Sequence, residues 1–346
     1  DNEQKIGGRI TAQYGIRFSM WDYIGPGKVY TYNDTTPNVS KPLKDTFNVA
    51  QGSVIQKYWN PEPRFSIKYD LTPSSSLKAS YTRISQYLHL VSNTTASTPL
   101  DVWTPTTNNI KPQLCDQVAL GYFRNFGEGD DYETSLEAYY KTMQNQVDYI
   151  DNANLLLNEY IEGELMNGKG RAYGLELYIR KNKGNFTGWI SYTLARTERK
   201  VVGINKGDWY PNRFDKLHNL NLVAFYQFNK KWDASATFAF ATGTPATFPT
   251  NRMVVQGYII PNNSDEKRNN YRIPAYHRLD LAVTLQGREH KNWESFWVFS
   301  VYNVYGRHNA FSVYFQQSDT DVNKTEAIRY SIIARPIPSI AYNFKF

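Results

Sequence analysis

Hydrophobic and polar residues alternate along most of this chain. From Arg9 onward, Ile10, Ala12, Tyr14, Ile16 and Phe18 fall on one side of an extended strand, and Arg9, Thr11, Gln13, Arg17 and Ser19 on the other. Phe65, Ile67, Tyr69 and Leu71 repeat the two-residue period against Arg64, Ser66, Lys68 and Asp70. Leu279, Leu281, Val283 and Leu285 do so against Arg278, Asp280 and Thr284. Such runs predict about twelve strands, near residues 9–19, 64–71, 77–89, 115–123, 133–148, 171–181, 187–197, 217–228, 232–242, 277–286, 294–305 and 327–346. Two-faced strands of about ten residues suit a wall with hydrocarbon on one side and water on the other.

Soluble sandwiches alternate too, so the connections must decide. Short turns follow the second, fourth, sixth, eighth and tenth runs, for example Thr72-Pro73-Ser74-Ser75 and Asn229-Lys230-Lys231. Between them lie long polar loops at about 20–63, 90–114, 149–170, 198–216, 243–276 and 306–326. Short turns at one end and long loops at the other predict an all-β fold, a transmembrane antiparallel β-barrel with its long loops outside the cell. Trp21, Tyr192, Trp232, Tyr302 and Tyr305 sit near strand ends, where amphipathic rings settle at membrane boundaries.

Composition narrows this further. With 41% hydrophobic residues, the 346-residue chain is not a disordered one. The longest apolar run, Leu222 to Tyr226, is far short of the about 20 residues a membrane helix needs. The single cysteine, Cys115, removes disulfide scaffolds and structural zinc. The net charge of +7 is scattered as single Lys and Arg residues, so no nucleic-acid partner is expected. No basic-then-apolar leader opens the chain at Asp1-Asn2-Glu3-Gln4, and any export signal is expected upstream or removed. His89, His218, His277, His290 and His308 are far apart, with no i, i+4 pair. No metal, no cofactor and no catalytic residue is expected, and the chain does not read as an enzyme.

The tail is sharper. Ile340, Tyr342, Phe344 and Phe346 occupy alternate positions up to the last residue. This resembles the carboxy-terminal signature of outer-membrane barrels, which the barrel-assembly machinery reads. Longer stretches carry a more specific likeness. They include the run from Tyr81 to His89, Thr98-Pro99-Leu100-Asp101-Val102-Trp103-Thr104-Pro105, and Thr187-Gly188-Trp189-Ile190-Ser191-Tyr192-Thr193-Leu194. Asn109-Ile110-Lys111-Pro112-Gln113, Gly174-Leu175-Glu176-Leu177, Asp215-Lys216-Leu217-His218-Asn219-Leu220-Asn221, Ala241-Thr242-Gly243-Thr244-Pro245, Tyr276-His277-Arg278-Leu279-Asp280-Leu281 and Val301-Tyr302-Asn303-Val304-Tyr305 read the same way. In order and spacing the chain resembles the carboxy-terminal half of TonB-dependent outer-membrane receptors, in the branch that often begins with a carboxypeptidase-regulatory-like domain.

The resemblance implies a 22-stranded barrel in a bacterial outer membrane, of which residues 1–346 supply the last twelve strands. It implies a plug and a TonB-contacting box that this chain lacks, and nutrient import energised by the TonB–ExbB–ExbD complex. A complete 12-stranded passive channel, or an outer-membrane enzyme, is the alternative, and it requires the strands to close on themselves. Trp21, Tyr23, Trp103, Trp209 and Tyr210, set among Asn, Thr, Pro and Gly in the loops, are the candidate ligand contacts, by stacking and hydrogen bonding. Arg9, Arg17, Glu137, Lys141, Glu176, Arg180, Arg278 and Asp280 are the expected polar wall of the lumen, with a Glu/Lys/Arg ladder across neighbouring strands. Arg196, Arg199 and Lys200, just past a strand end, suit the phosphates of lipopolysaccharide. A surface lipoprotein partner above the loops stays open.

Overall fold

The computed structural model describes residues 1–91, 101–262, 267–287, 293–321 and 324–345. Phe346, His290 and the run Thr98 to Leu100 lie outside them.

Thirteen strands form one continuous antiparallel sheet in chain order. They are β1 (Asn2–Ile6), β2 (Ile10–Ile24), β3 (Val54–Thr72), β4 (Ser75–Gln86), β5 (Gln113–Phe126), β6 (Tyr132–Tyr149) and β7 (Leu165–Lys181). The rest are β8 (Phe186–Val201), β9 (His218–Gln227), β10 (Trp232–Ala241), β11 (Tyr276–Gln286), β12 (Glu294–Tyr302) and β13 (Ile337–Lys345). Twelve coincide with the predicted runs. The thirteenth, β1, reads Asn-Glu-Gln-Lys-Ile, with no apolar alternation, and adds at the edge through pairs such as Glu3↔Gln13. Among the described residues the two ends of the sheet, β1 and β13, do not pair with each other.

The alternation sorts the side chains as expected. Ile16, Phe18, Leu120, Leu136, Phe299 and Ile340 share the apolar face, and all remain exposed. Burying them takes a hydrocarbon phase, while each interior strand is paired by the antiparallel ladder with a neighbour on both sides. Ile340, Tyr342 and Phe344 lie on this face, opposite Phe299, Trp297 and Ser295 in register. The turn at Phe126 to Tyr132 shows how the short end closes: Gly127 takes a φ of 93°, and the rings of Phe126 and Tyr132 stack at 5.0 Å.

The long loops are more ordered than their polar composition suggests. Hairpins pair Gly27–Tyr32 with Leu43–Val49, Leu88–Leu90 with Trp103–Pro105, and Asn251–Val255 with Tyr258–Asn262. The predicted strand at 327–346 divides in two. Thr325–Tyr330 pairs with Ser312–Gln317 inside the last loop, and the wall strand starts only at Ile337, after Pro336.

Most of the buried apolar core lies at the loop end. A bulge between Met143 and Gln146, with Asn145 at a φ of 55°, redirects the end of β6. Beyond it, Val147 packs with Val91, Ile110 and Leu165. Beside that cluster, Ile150, Met166, Val201, Ile204 and Tyr210 form a second one.

Candidate functional site

Ion pairs knit the polar face, among them Lys68 with Asp70 at 2.8 Å and two further groups. Near the mouth, the carboxylate of Glu62 is sealed from solvent and accepts from Arg17 Nε at 2.7 Å and Ser19 Oγ at 2.8 Å. On β11, Arg278 donates to Asp280 at 2.9 Å and to the Tyr302 hydroxyl at 2.6 Å, with the Tyr302 ring 4.2 Å away. The expected ladder in the middle of the wall takes another form. Register sets Glu137 opposite Glu176, Lys141 opposite Ala172, and Arg180 opposite Glu133. Two like charges thus face each other on a surface that stays in water. Lys141 lies 5.1 Å from the Tyr139 ring. Arg9 pairs through its backbone, its carbonyl accepting from Asp70 N at 2.8 Å.

The five loop aromatics do not converge on one pocket. Trp21 and Tyr23 extend the polar face of β2 past its last rungs. Trp21 stacks on Tyr87 at 5.5 Å and donates its indole N–H to the Thr106 carbonyl at 2.9 Å, so its polar handle is spent on the loop that carries Thr106. Burial, and then the charge of Glu162, raise the phenol pKa of Tyr23. Trp103 is exposed on its hairpin. Trp209 covers the Arg171 guanidinium at 4.3 Å. Tyr210 was expected to meet ligand, but it is 1% exposed and donates to Asp148 at 2.5 Å. Burial and Asp148 hold its phenol far above the usual range, so it serves as core.

Around Asp148 three loops are pinned together. Arg268, from the loop between β10 and β11, donates to Asp148 and Asp151 at 2.6 Å each and to the Tyr149 carbonyl at 2.7 Å. Its backbone N–H donates to Asn205 Oδ1 at 2.7 Å, in the loop after β8. Arg199 also turns to this centre, 3.7 Å from Asp148, and therefore does not join Lys200 on the outer wall as the sequence suggested. The loop after β2 is tied in by Asn38, which exchanges two 2.8 Å hydrogen bonds with Asp151. Arg268 and Asp148 stand 120 positions apart, and no local motif marks either.

His89 lies in the same mouth. It is 1% exposed, with Nε2 3.0 Å from Thr106 Oγ1, and among the described residues its buried Nδ1 has no partner. Burial pulls its pKa down to about 4.

The boundary aromatics divide between the faces. Tyr192 and Trp232 are on the apolar face, and Tyr305 joins His277 of that face at 2.8 Å. Trp21 and Tyr302 belong to the polar one, held as described.

No curated protein matches the sequence. Solved structures do. The ferric-catecholate import receptor Fiu from K12 E. coli superposes with a TM-score of 0.58 at 13% identity, over 99% of this chain and 43% of that one. The ferric yersiniabactin uptake receptor FyuA from Yersinia pestis gives 0.59 at 13% identity, over 98% and 43%. The ferric citrate transporter FecA in its unliganded form gives 0.57 at 17% identity, over 98% and 43%. The chain thus spans under half the length of these structures, and at such identities the likeness is one of fold. Residues 1–304 match the family described as TonB-dependent receptor-like, beta-barrel, so the chain belongs to that family and is an outer-membrane protein.

Proposed function

We propose that this chain is the carboxy-terminal part of the barrel of a TonB-dependent receptor that imports a nutrient captured by its long loops. The observation that carries the reading is the sheet itself: a polar face crowned by an ordered mouth, with two edges that among the described residues do not meet. Unpaired edges do not persist in hydrocarbon, so in this reading further strands complete the barrel, and the plug is taken from the family likeness. Residues 1–346 then belong wholly to the barrel. Contact with the TonB–ExbB–ExbD complex falls to the plug region, the alternating tail serves the barrel-assembly machinery, and lipopolysaccharide surrounds the outer wall. In this reading the chain carries no catalytic step. Its ligand contacts are the rings still open at the mouth, Tyr23 and Trp103, whereas Trp209, stacked on Arg171, lies on the outer face.

The receptors named above take up ferric chelates, and chelated iron is therefore the first nutrient class to test, before glycans and peptides. Import is measured in cells carrying or lacking the receptor gene, each with and without TonB. Uptake that needs both genes is expected. Uptake that needs the receptor but survives loss of TonB overturns the reading in favour of a passive channel.

A further inference from the structure

On the apolar face of β7 and β8 the rungs climb from lipid to solvent. Leu175 stands opposite Leu194, Tyr173 opposite Arg196, Arg171 opposite Glu198, and Lys169 opposite Lys200. The other face of the same stretch packs inward through buried Gly170 and Val201, so this row points away from the mouth. Tyr173 stacks on Tyr140 at 6.1 Å and marks the aromatic boundary.

Above that boundary the charges do not balance. Glu198 is shared between Arg171 at 2.7 Å and Arg196 at 3.2 Å, and Arg196 also reaches Asp215 at 3.6 Å, which Arg272 pairs as well, so three guanidiniums face two carboxylates. The next rung is worse. Lys169 and Lys200 are both exposed and directly opposite, and among the described residues neither has an acidic partner. Like charges in this relation destabilise a sheet. The lysine rung lies four residues beyond Tyr173, about 14 Å along the strand and about 10 Å in height at the usual barrel tilt. That places two flexible ammonium groups within snorkelling reach of the headgroup layer.

We infer that Lys169 and Lys200, backed by Arg171 and Arg196, form a site on the outer wall for the phosphate groups of an outer-leaflet glycolipid. A phosphate between the two lysines removes their repulsion and gains charge-assisted hydrogen bonds from both. The site rests on the outer-membrane wall and not on which nutrient passes through it. Uptake and glycolipid retention are accordingly separate readouts, and either can fail alone.

The test uses the full-length receptor, stripped of glycolipid in detergent. It is titrated with bisphosphorylated lipid A, dephosphorylated lipid A or inorganic phosphate, and read by native mass spectrometry. The wild type is expected to retain the bisphosphorylated form. Lys169→Ala with Lys200→Ala weakens retention by roughly thirty-fold, from the contribution of two surface cations near an anionic layer, and the double Arg variant restores it. In stripped detergent Lys169→Ala alone raises the melting temperature, because it removes the like-charge rung. Added lipid A stabilises the wild type more than this variant. Unchanged retention in the double alanine variant, or equal retention of the dephosphorylated lipid, overturns the proposal. Inorganic phosphate that competes as well as lipid A overturns the assignment to a lipid.

Discussion

Along the wall, apolar side chains such as Leu120 and Phe299 stay exposed after folding, whereas at the mouth Val201, Ile204 and Tyr210 are almost sealed from solvent. The wall is held by its ladder of backbone hydrogen bonds and needs the membrane to cover its apolar face. The mouth has few long ladders, and it coheres through packing and through charges withdrawn from water. These are different kinds of stability, and they fail in different ways. A wall position asks which face it is on. A mouth position asks what its partner is.

The pin at Arg268 is the hardest test of that contrast. Replacing Arg268 with Ala leaves Asp148 buried with the Tyr210 hydroxyl at 2.5 Å and, as its nearest cation, the more distant Arg199 at 3.7 Å. Removal of one partner from a buried pair costs about 3–5 kcal/mol. Because the pin joins loops to the end of β6 beyond its bulge rather than one wall rung to another, the loss is expected as local opening. Hydrogen exchange in residues 202–217 and 242–262 accelerates, while the heat-dependent gel mobility of the folded barrel stays as in the wild type. Exchange that remains at the wild-type level there shows that the loops are held by something other than this pin.

A smaller effect is expected on the wall, and it depends on parity alone. Leu281→Arg puts a cation on the apolar face, at a cost of about 2–4 kcal/mol at mid-membrane. Thr284→Arg, three residues along β11, enters the polar face opposite Asp233 and leaves stability near the wild-type value. Reversible urea unfolding in lipid vesicles measures both. Equal costs at the two positions break the assignment of faces.

The same contrast explains what could be read in advance. Twelve wall strands were legible because a lipid-facing position must be apolar and its neighbours need not be, so the period survives in the residues themselves. The edge strand Asn2–Ile6 has no such obligation on its sequence and gave no signal. The strand predicted at 327–346 merged a loop hairpin with the wall, because Thr325–Tyr330 alternates as wall strands do while pairing with Ser312–Gln317. At the mouth, composition misled. Tyr210 looks like Trp103 in sequence, both aromatic in polar loops, yet one is core and the other is exposed. Only the approach of Asp148 from β6 separates them, and that is a tertiary fact. Glu137 and Glu176 teach the same lesson for the wall: each strand face was legible, but the register that set like charges opposite was not.

The smallest expected effect belongs to His89, and it tests whether acid loosens the mouth while sparing the wall. Burial holds the folded imidazole at about 4, against an ordinary value of 6.5. Above 6.5 both folded and unfolded forms are neutral and the hairpin keeps its full stability. As the pH falls below that value the unfolded segment takes up the proton first, so stability declines with acid, by about 1 kcal/mol at pH 5.5, and continues to decline toward the folded value. The bond to Thr106 links His89 to the segment whose carbonyl holds Trp21, so Trp21 and its stack on Tyr87 report the change. Between pH 6.5 and 5.5 most carboxylates do not titrate, which isolates the histidine. Hydrogen exchange at Leu88–Leu90 is expected to rise across that window in the wild type and to stay level in His89→Gln, with the interior wall strands unchanged in both. A flat wild-type profile means that the hairpin is anchored without regard to the charge of His89. A slope shared by the wall strands means that the mouth and the wall do not open independently, and the contrast between them fails.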